Sequence, residues 1–199
     1  MFPLVETIRS DDGRLINLEF HNERMMRTLF ELYGLKKDID LARIVSVPDS
    51  AIRGVFKCRV EYDNEIRETE FIRYNFKSVR SLKVIEDNTI NYSYKFTDRR
   101  SIEKLWEKRN ECDDILIIKN GFITDTSYAN VIFMDMSGVW YTPSTYLLPG
   151  TRRASLLRQN KIRETKIGYH DLENFTELKL INAMLGMEDT VGIPVRSII

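Results

Sequence analysis

Apolar and polar positions alternate strictly across Val55–Tyr62: Phe56, Cys58, Val60 and Tyr62 against Lys57, Arg59 and Glu61. A period of two marks a half-buried strand. Asp63-Asn64 then supplies a turn into a second run, residues 66–74, so the two segments predict an antiparallel hairpin. Upstream, residues 4–9 read as a strand that Asp11-Asp12-Gly13 turns back through residues 15–18. At residues 21–35 the period changes. Met25, Leu29, Leu32 and Tyr33 fall on one helical face and Gly34 lies near its end. A shorter helix is expected at 40–45 and a further strand at 81–86.

The second half has a different texture. Residues 98–110 form a helical pattern with Ile102, Leu105 and Trp106 as its stripe. Residues 115–118 are wholly apolar and are turned by Lys119-Asn120-Gly121 into 122–124. Strands are expected at 131–134 and 139–141 around Ser137-Gly138, and a helix at 151–159 directly after Pro149-Gly150. A strand at 162–167, a short helix at 171–175 and closing strands at 178–182 and 191–197 complete the pattern. The expected class is α/β (α+β) with two lobes: a small N-terminal α+β lobe over residues 1–84 and a larger one over 85–199.

Composition narrows the function. At 199 residues the chain is one large domain or two small ones. Thirty basic side chains balance thirty acidic ones, against the basic excess that nucleic acid or an anionic membrane surface selects. Two cysteines, Cys58 and Cys112, and two histidines, His21 and His170, assemble neither a disulfide framework nor a known metal motif. No leader or bilayer-length apolar run is seen, so a reduced, soluble, cytoplasmic protein is expected. No GxGxxG, GxxxxGKS or GxSxG occurs, which lowers the case for nucleotide-fold enzymes and serine hydrolases.

Three segments carry candidate chemistry. Lys95 stands among Tyr92, Tyr94 and Phe96, where partial desolvation would favour a neutral, nucleophilic amine; an exposed linker lysine is the simpler local alternative. Between two apolar strands, Asp125 and Asn130 bracket a hydroxyl cluster, and a carboxylate there can hold a cationic ring nitrogen; a turn stabilised by its own Asp and Ser is the plain alternative. At Leu148-Pro149-Gly150-Thr151-Arg152-Arg153, a tight turn opens onto a helix, so backbone N–H groups and the Thr151 hydroxyl offer an anion site, or simply a capped helix start. Arg24, near the start of the first helix, can reach an anion or be an ordinary solvated charge. Together these ask for a phosphate, a pyridine-type nitrogen and an aldehyde. Pyridoxal 5′-phosphate carries all three.

The order of motifs resembles the class IV aminotransferases, the fold-type IV pyridoxal-phosphate enzymes of D-amino-acid aminotransferase-like architecture. The resemblance rests on Val5-Glu6-Thr7-Ile8-Arg9, His21-x-x-Arg24, Lys95-x-x-Asp98-Arg99, Asp125-x-x-x-x-Asn130, Leu148-Pro149-Gly150-Thr151-Arg152-Arg153 and Ile181-Asn182-Ala183. It covers nearly the whole chain. Within the family, Lys95-Phe96-Thr97-Asp98-Arg99 and Asn182-Ala183-Met184 look more like 4-amino-4-deoxychorismate lyase than the branched-chain or D-amino-acid transaminases.

The resemblance implies that Lys95 is the cofactor lysine and that Asp125 takes the place of the family acid facing the pyridine nitrogen. It implies that Arg24 binds the phosphate with the backbone at Thr151 and Arg152 and the turn at Asn182-Ala183, and that Asn130 matches the asparagine after the acid. The implied activity is release of pyruvate from aminodeoxychorismate to leave 4-aminobenzoate, by a homodimer with its site between lobes acting on a small amino-acid-like substrate. A transaminase on the same scaffold and a non-catalytic relative are the alternatives. Two departures stand out: the acid is aspartate where the family usually has glutamate, and the family's first strands, with an Arg-x-x-x-Gly-Asp-Gly stretch, are missing, so a shortened form is expected.

Overall fold

The computed structural model describes residues 3–199. They divide into two compact units. One runs up to Phe76 and takes in Tyr94–Asp98; the other comprises Lys77–Ser93 and Arg99–Ile199. The expected lobe boundary after residue 84 would have put Lys95 in the second lobe, whereas the contacts gather it with the first unit. Backbone hydrogen bonds explain this: Val5 N–H donates to the Lys95 carbonyl at 2.9 Å and Thr97 N–H to the Pro3 carbonyl at 2.8 Å.

The first unit is a four-stranded antiparallel sheet covered by a helix. Its strands are β1 (Leu4–Asp11), β2 (Arg14–Leu15), β3 (Val55–Tyr62) and β4 (Ile66–Arg73), in the order β2-β1-β3-β4. The alternation at Phe56, Cys58, Val60 and Tyr62 is the inward face of β3, as its period predicts. Helix α1 (Leu18–Tyr33) starts three residues before the expected His21, because Asn17 turns the chain with a left-handed φ of 57° and leaves no length for a longer β2. The short α2 (Leu41–Ile44) is capped by the Asp40 side chain on Ala42 N–H. Met25 and Leu29 of α1 pack on Leu4, Ile8, Cys58, Val60 and Tyr62, and all are buried. Each such side chain contributes roughly 1.5–3 kcal/mol, which is what closes the helix on the sheet.

The second unit is built on β5 (Leu82–Glu86), β6 (Asp114–Lys119), β7 (Phe122–Thr126), β8 (Asn130–Asp135), β9 (Trp140–Pro143), β10 (Arg163–Thr165), β11 (Phe175–Ile181) and β12 (Ile193–Pro194). The path β10-β9-β8-β7-β6-β5 is joined by β11, which pairs with β8 and β12. Pairs β5–β6 and β9–β10 are parallel and the rest antiparallel. Asn120 (φ 53°) and Gly121 (φ 77°) form the two-residue turn from β6 to β7, the left-handed pair that a tight hairpin requires. Between β7 and β8 the ladder narrows to one bridge, Asp125 with Asn130.

Three helical expectations change at their ends. Helix α3 (Arg100–Trp106) gives way to a 3₁₀ turn at Glu107–Arg109, and α4 (Thr151–Arg158) begins where Pro149-Gly150 sets it. The short helix expected at 171–175 is a 3₁₀ segment, Tyr169–Asn174. The closing strand at 191–197 shrinks to β12, because Pro194 has no N–H to extend the ladder and Val195–Ser197 turns instead.

Candidate active site

In the second unit, Asp125 sits on β7 and is buried. Its Oδ2 accepts hydrogen bonds from Leu147 N–H at 3.0 Å and Leu148 N–H at 2.9 Å, and its Oδ1 accepts one from Asn130 Nδ2 at 2.7 Å. All three donors are neutral. Burial pushes the Asp125 carboxyl up to about 6, and the three hydrogen bonds with the more distant Arg153 charge only partly oppose it. Asn130 opens β8 and ties the region together: its Nδ2 also donates to the Leu148 carbonyl at 3.0 Å.

The start of α4 lies against that pair. A Cβ on Gly150 would overlap Asn130 Oδ1, so only glycine lets the start of α4 lie against this amide. Thr151 is the buried first residue of α4 and Arg152 follows, half-buried. The first-turn N–H groups of an α-helix have no intrahelical acceptor, which suits an anion. Asn182 follows β11, whose Ile181 pairs with Asn130. Its Oδ1 accepts from Met184 N–H at 2.8 Å and Leu185 N–H at 3.1 Å, and its Nδ2 donates to the Tyr128 carbonyl at 3.4 Å. Ala183 is thereby held in a tight turn. The structure thus sets Asn130 beside Asp125, Gly150 at the start of α4 and Ile181 at the end of β11, and ties Asn182 to Tyr128 in the loop between Asp125 and Asn130.

In the first unit, Arg24 is buried and its Nε and Nη2 donate to Glu6 Oε1 and Oε2 at 2.9 and 2.5 Å. His21 Nδ1 lies 2.6 Å from Glu6 Oε2. Burial alone would raise the Glu6 carboxyl, but the Arg24 charge and the His21 contacts outweigh it and hold Glu6 at about 2. His21 is shifted down, first by burial, against the pull of Glu6; the Lys95 charge also reaches it. Lys95 itself is half-buried, neither the exposed linker lysine nor a fully enclosed one.

A cleft of about 420 Å³ in the second unit holds none of the expected residues. Tyr92, Lys119, Phe122, Thr124 and Lys166 border it. Thr124 and Asp125 are neighbours on β7 and face opposite sides of the strand. Sequence reasoning missed the Leu147 and Leu148 amides, which no side-chain pattern reveals. It also assigned Glu6 no role, although a carboxylate at an inward phase of β1, between Leu4 and Ile8, is a legible signal.

These groups fit a phosphorylated pyridine. Asp125 meets three neutral donors and keeps acceptor capacity on Oδ1, so a protonated ring nitrogen would complete it. The first-turn N–H groups of α4 have the donor chemistry for a phosphate.

The amino-transferase class IV family model matches residues 94–198, and the chain belongs to that family. An uncharacterized protein of Haemophilus influenzae is 39% identical over 189 residues, covering 94% of this chain and all of the relative. A crystal structure of a Haemophilus somnus protein provisionally named a 4-amino-4-deoxychorismate lyase is 36% identical, with a TM-score of 0.88, covering 94% of this chain and 98% of that one. A hypothetical aminotransferase from Mycobacterium tuberculosis in its pyridoxal-phosphate-bound form shares the fold at 16% identity and a TM-score of 0.76, covering 99% of this chain and 81% of that one. Enzymes of this family depend on pyridoxal 5′-phosphate. Among the described residues no helix is long and apolar enough to cross a membrane.

Proposed function

We propose that the protein is a pyridoxal-phosphate-dependent lyase that releases pyruvate from aminodeoxychorismate and leaves 4-aminobenzoate. The observation that supports the cofactor assignment is Asp125, a buried carboxyl group whose three hydrogen-bond donors are all neutral, a setting that suits a cationic ring nitrogen. The choice of substrate is supported by the likeness to the Haemophilus somnus protein and by the Lys95-Phe96-Thr97-Asp98-Arg99 and Asn182-Ala183-Met184 motifs.

In this reading Lys95 tethers the cofactor and afterwards holds and delivers protons. Arg24, the backbone N–H groups at Thr151 and Arg152 and the Asn182-Ala183 turn bind the phosphate. Asp125 keeps a proton on the ring nitrogen, and Asn130 keeps Asp125 in place. The bound cofactor would supply a carbonyl for the substrate amine and a ring that accepts the electron pair left when the proton beside that amine is removed, so that the pair is available to expel the pyruvate group. The working form is a homodimer in the cytoplasm.

The test is direct. Protein incubated with pyridoxal 5′-phosphate and reduced with borohydride is expected to carry a pyridoxyl mass on Lys95, and Lys95→Ala to carry none. The tag on another lysine, or on none, overturns the cofactor assignment. Fluorescent 4-aminobenzoate formed from aminodeoxychorismate supports the lyase. Conversion of the cofactor to its pyridoxamine form by amino acids, without 4-aminobenzoate, replaces it with a transaminase.

A further inference from the structure

We propose that Glu6 is a positioning residue that aims Arg24 at a phosphate monoester, with His21 as the second group that fixes Glu6. This rests on the proposed function only for the nature of the ligand, a phosphorylated pyridine.

The inward face of β1 is Leu4, Glu6, Ile8 and Ser10, all buried. An ionised carboxylate at such a position is costly unless partnered. Helix α1 brings two partners to it, His21 and Arg24, one turn apart on the same face. Arg24 meets Glu6 side-on through Nε and Nη2, one oxygen to each, and His21 Nδ1 meets Oε2. A two-point contact fixes both the plane and the rotation of the guanidinium, and so directs its Nη1 edge. Tyr62, buried in the same core as Met25 and Leu29 of α1, further confines that helix face.

Stability alone is a poor account of this cluster. A buried ion pair commonly does no better for the fold than apolar side chains of equal volume. Attraction is a poor account too, because Glu6 places a negative charge behind the cation that would meet the phosphate. The two views predict opposite signs. Were charge all that mattered, neutralising Glu6 would tighten phosphate binding. Positioning requires that it loosen.

The probes are pyridoxine 5′-phosphate and pyridoxine, titrated by fluorescence. Neither has an aldehyde, so Lys95 cannot couple to them, and the ratio of their affinities reads the phosphate alone. Wild type is expected to prefer the phosphorylated form. Glu6→Gln is expected to lose about 10- to 100-fold of that preference, the scale of a charge-assisted contact, with pyridoxine affinity unchanged. Should Glu6→Gln fail to fold, Glu6→Asp decides: it keeps the charge but draws the carboxylate back from the two N–H groups, and a loss of about tenfold is expected. A folded variant that keeps or raises the preference overturns the proposal, as does a wild type that shows none. Phosphate preference without a pyridoxyl tag on Lys95 would remove the enzyme assignment and leave the role of Glu6 standing.

Discussion

Glu6 and Asp125 are both carboxylates on strands, both buried, and both accept three hydrogen bonds, yet they end on opposite sides of their ordinary values. Glu6 falls from 4.5 to about 2 and Asp125 rises from 3.8 to about 6. The number of contacts is not what separates them. Glu6 touches a guanidinium, whereas Asp125 touches amides, which here do not offset its burial. The formal charge of the neighbours, rather than the number of hydrogen bonds, therefore sets the direction of each shift.

The largest effect that would sharpen this contrast is expected from Arg24→Ala. Removing the cation leaves Glu6 charged and buried with His21 alone, and should cost about 3–5 kcal/mol in urea unfolding. A loss under 1 kcal/mol would mean that Glu6 is not held by that charge.

Next come two pH profiles of opposite slope. Glu6 has a depressed value, so its stabilisation of about 3 kcal/mol is present above pH 4.5 and lost as pH falls towards 2. The deficit of Glu6→Gln relative to wild type should shrink over that window. Asp125 has a raised value, so it favours the folded state at low pH and its contribution falls by about 3 kcal/mol as pH rises from about 4 to 6. Relative to Asp125→Asn, wild type should therefore weaken across that range. Parallel profiles for wild type and Asp125→Asn would break the comparison.

The smallest effect concerns the frame around Asp125. Gly150→Ala must displace Asn130 Oδ1, and should cost about 1–2 kcal/mol of stability, the range of a modest overpacking. Thermal melts measure it. An unchanged melting temperature would mean that Asn130 moves freely and does not anchor the acid.

Much of the first unit was legible because its periods are clean: the alternation of β3 and the helical stripe of Met25 and Leu29 each put an apolar face where the fold uses it. The start of α1 was not, since it depends on the left-handed Asn17, which the apolar pattern does not register. The closing strand failed for a related reason: Val191 and Ile193 look like strand, but Pro194 removes the donor. For the candidate site, side chains with distinctive chemistry, Asp125 and Asn130 among them, could be named from their residue types and from the family resemblance. What could not be named were backbone amides at Leu147 and Leu148, because any residue supplies them. Glu6 lay between: visible as a charge out of phase, but mute until its partners on α1 were placed.

One bridge joins β7 to β8, and its two members are Asp125 and Asn130. The other strand pairs have two rungs or more, whereas here a single rung stands beside the donors that a ligand would engage. The fabric is thinnest where chemistry is expected, a common arrangement because binding regions draw on the less stable parts of a fold. A guest seated on that rung would act as a rivet, and amide exchange along both adjoining strands should slow together when it arrives.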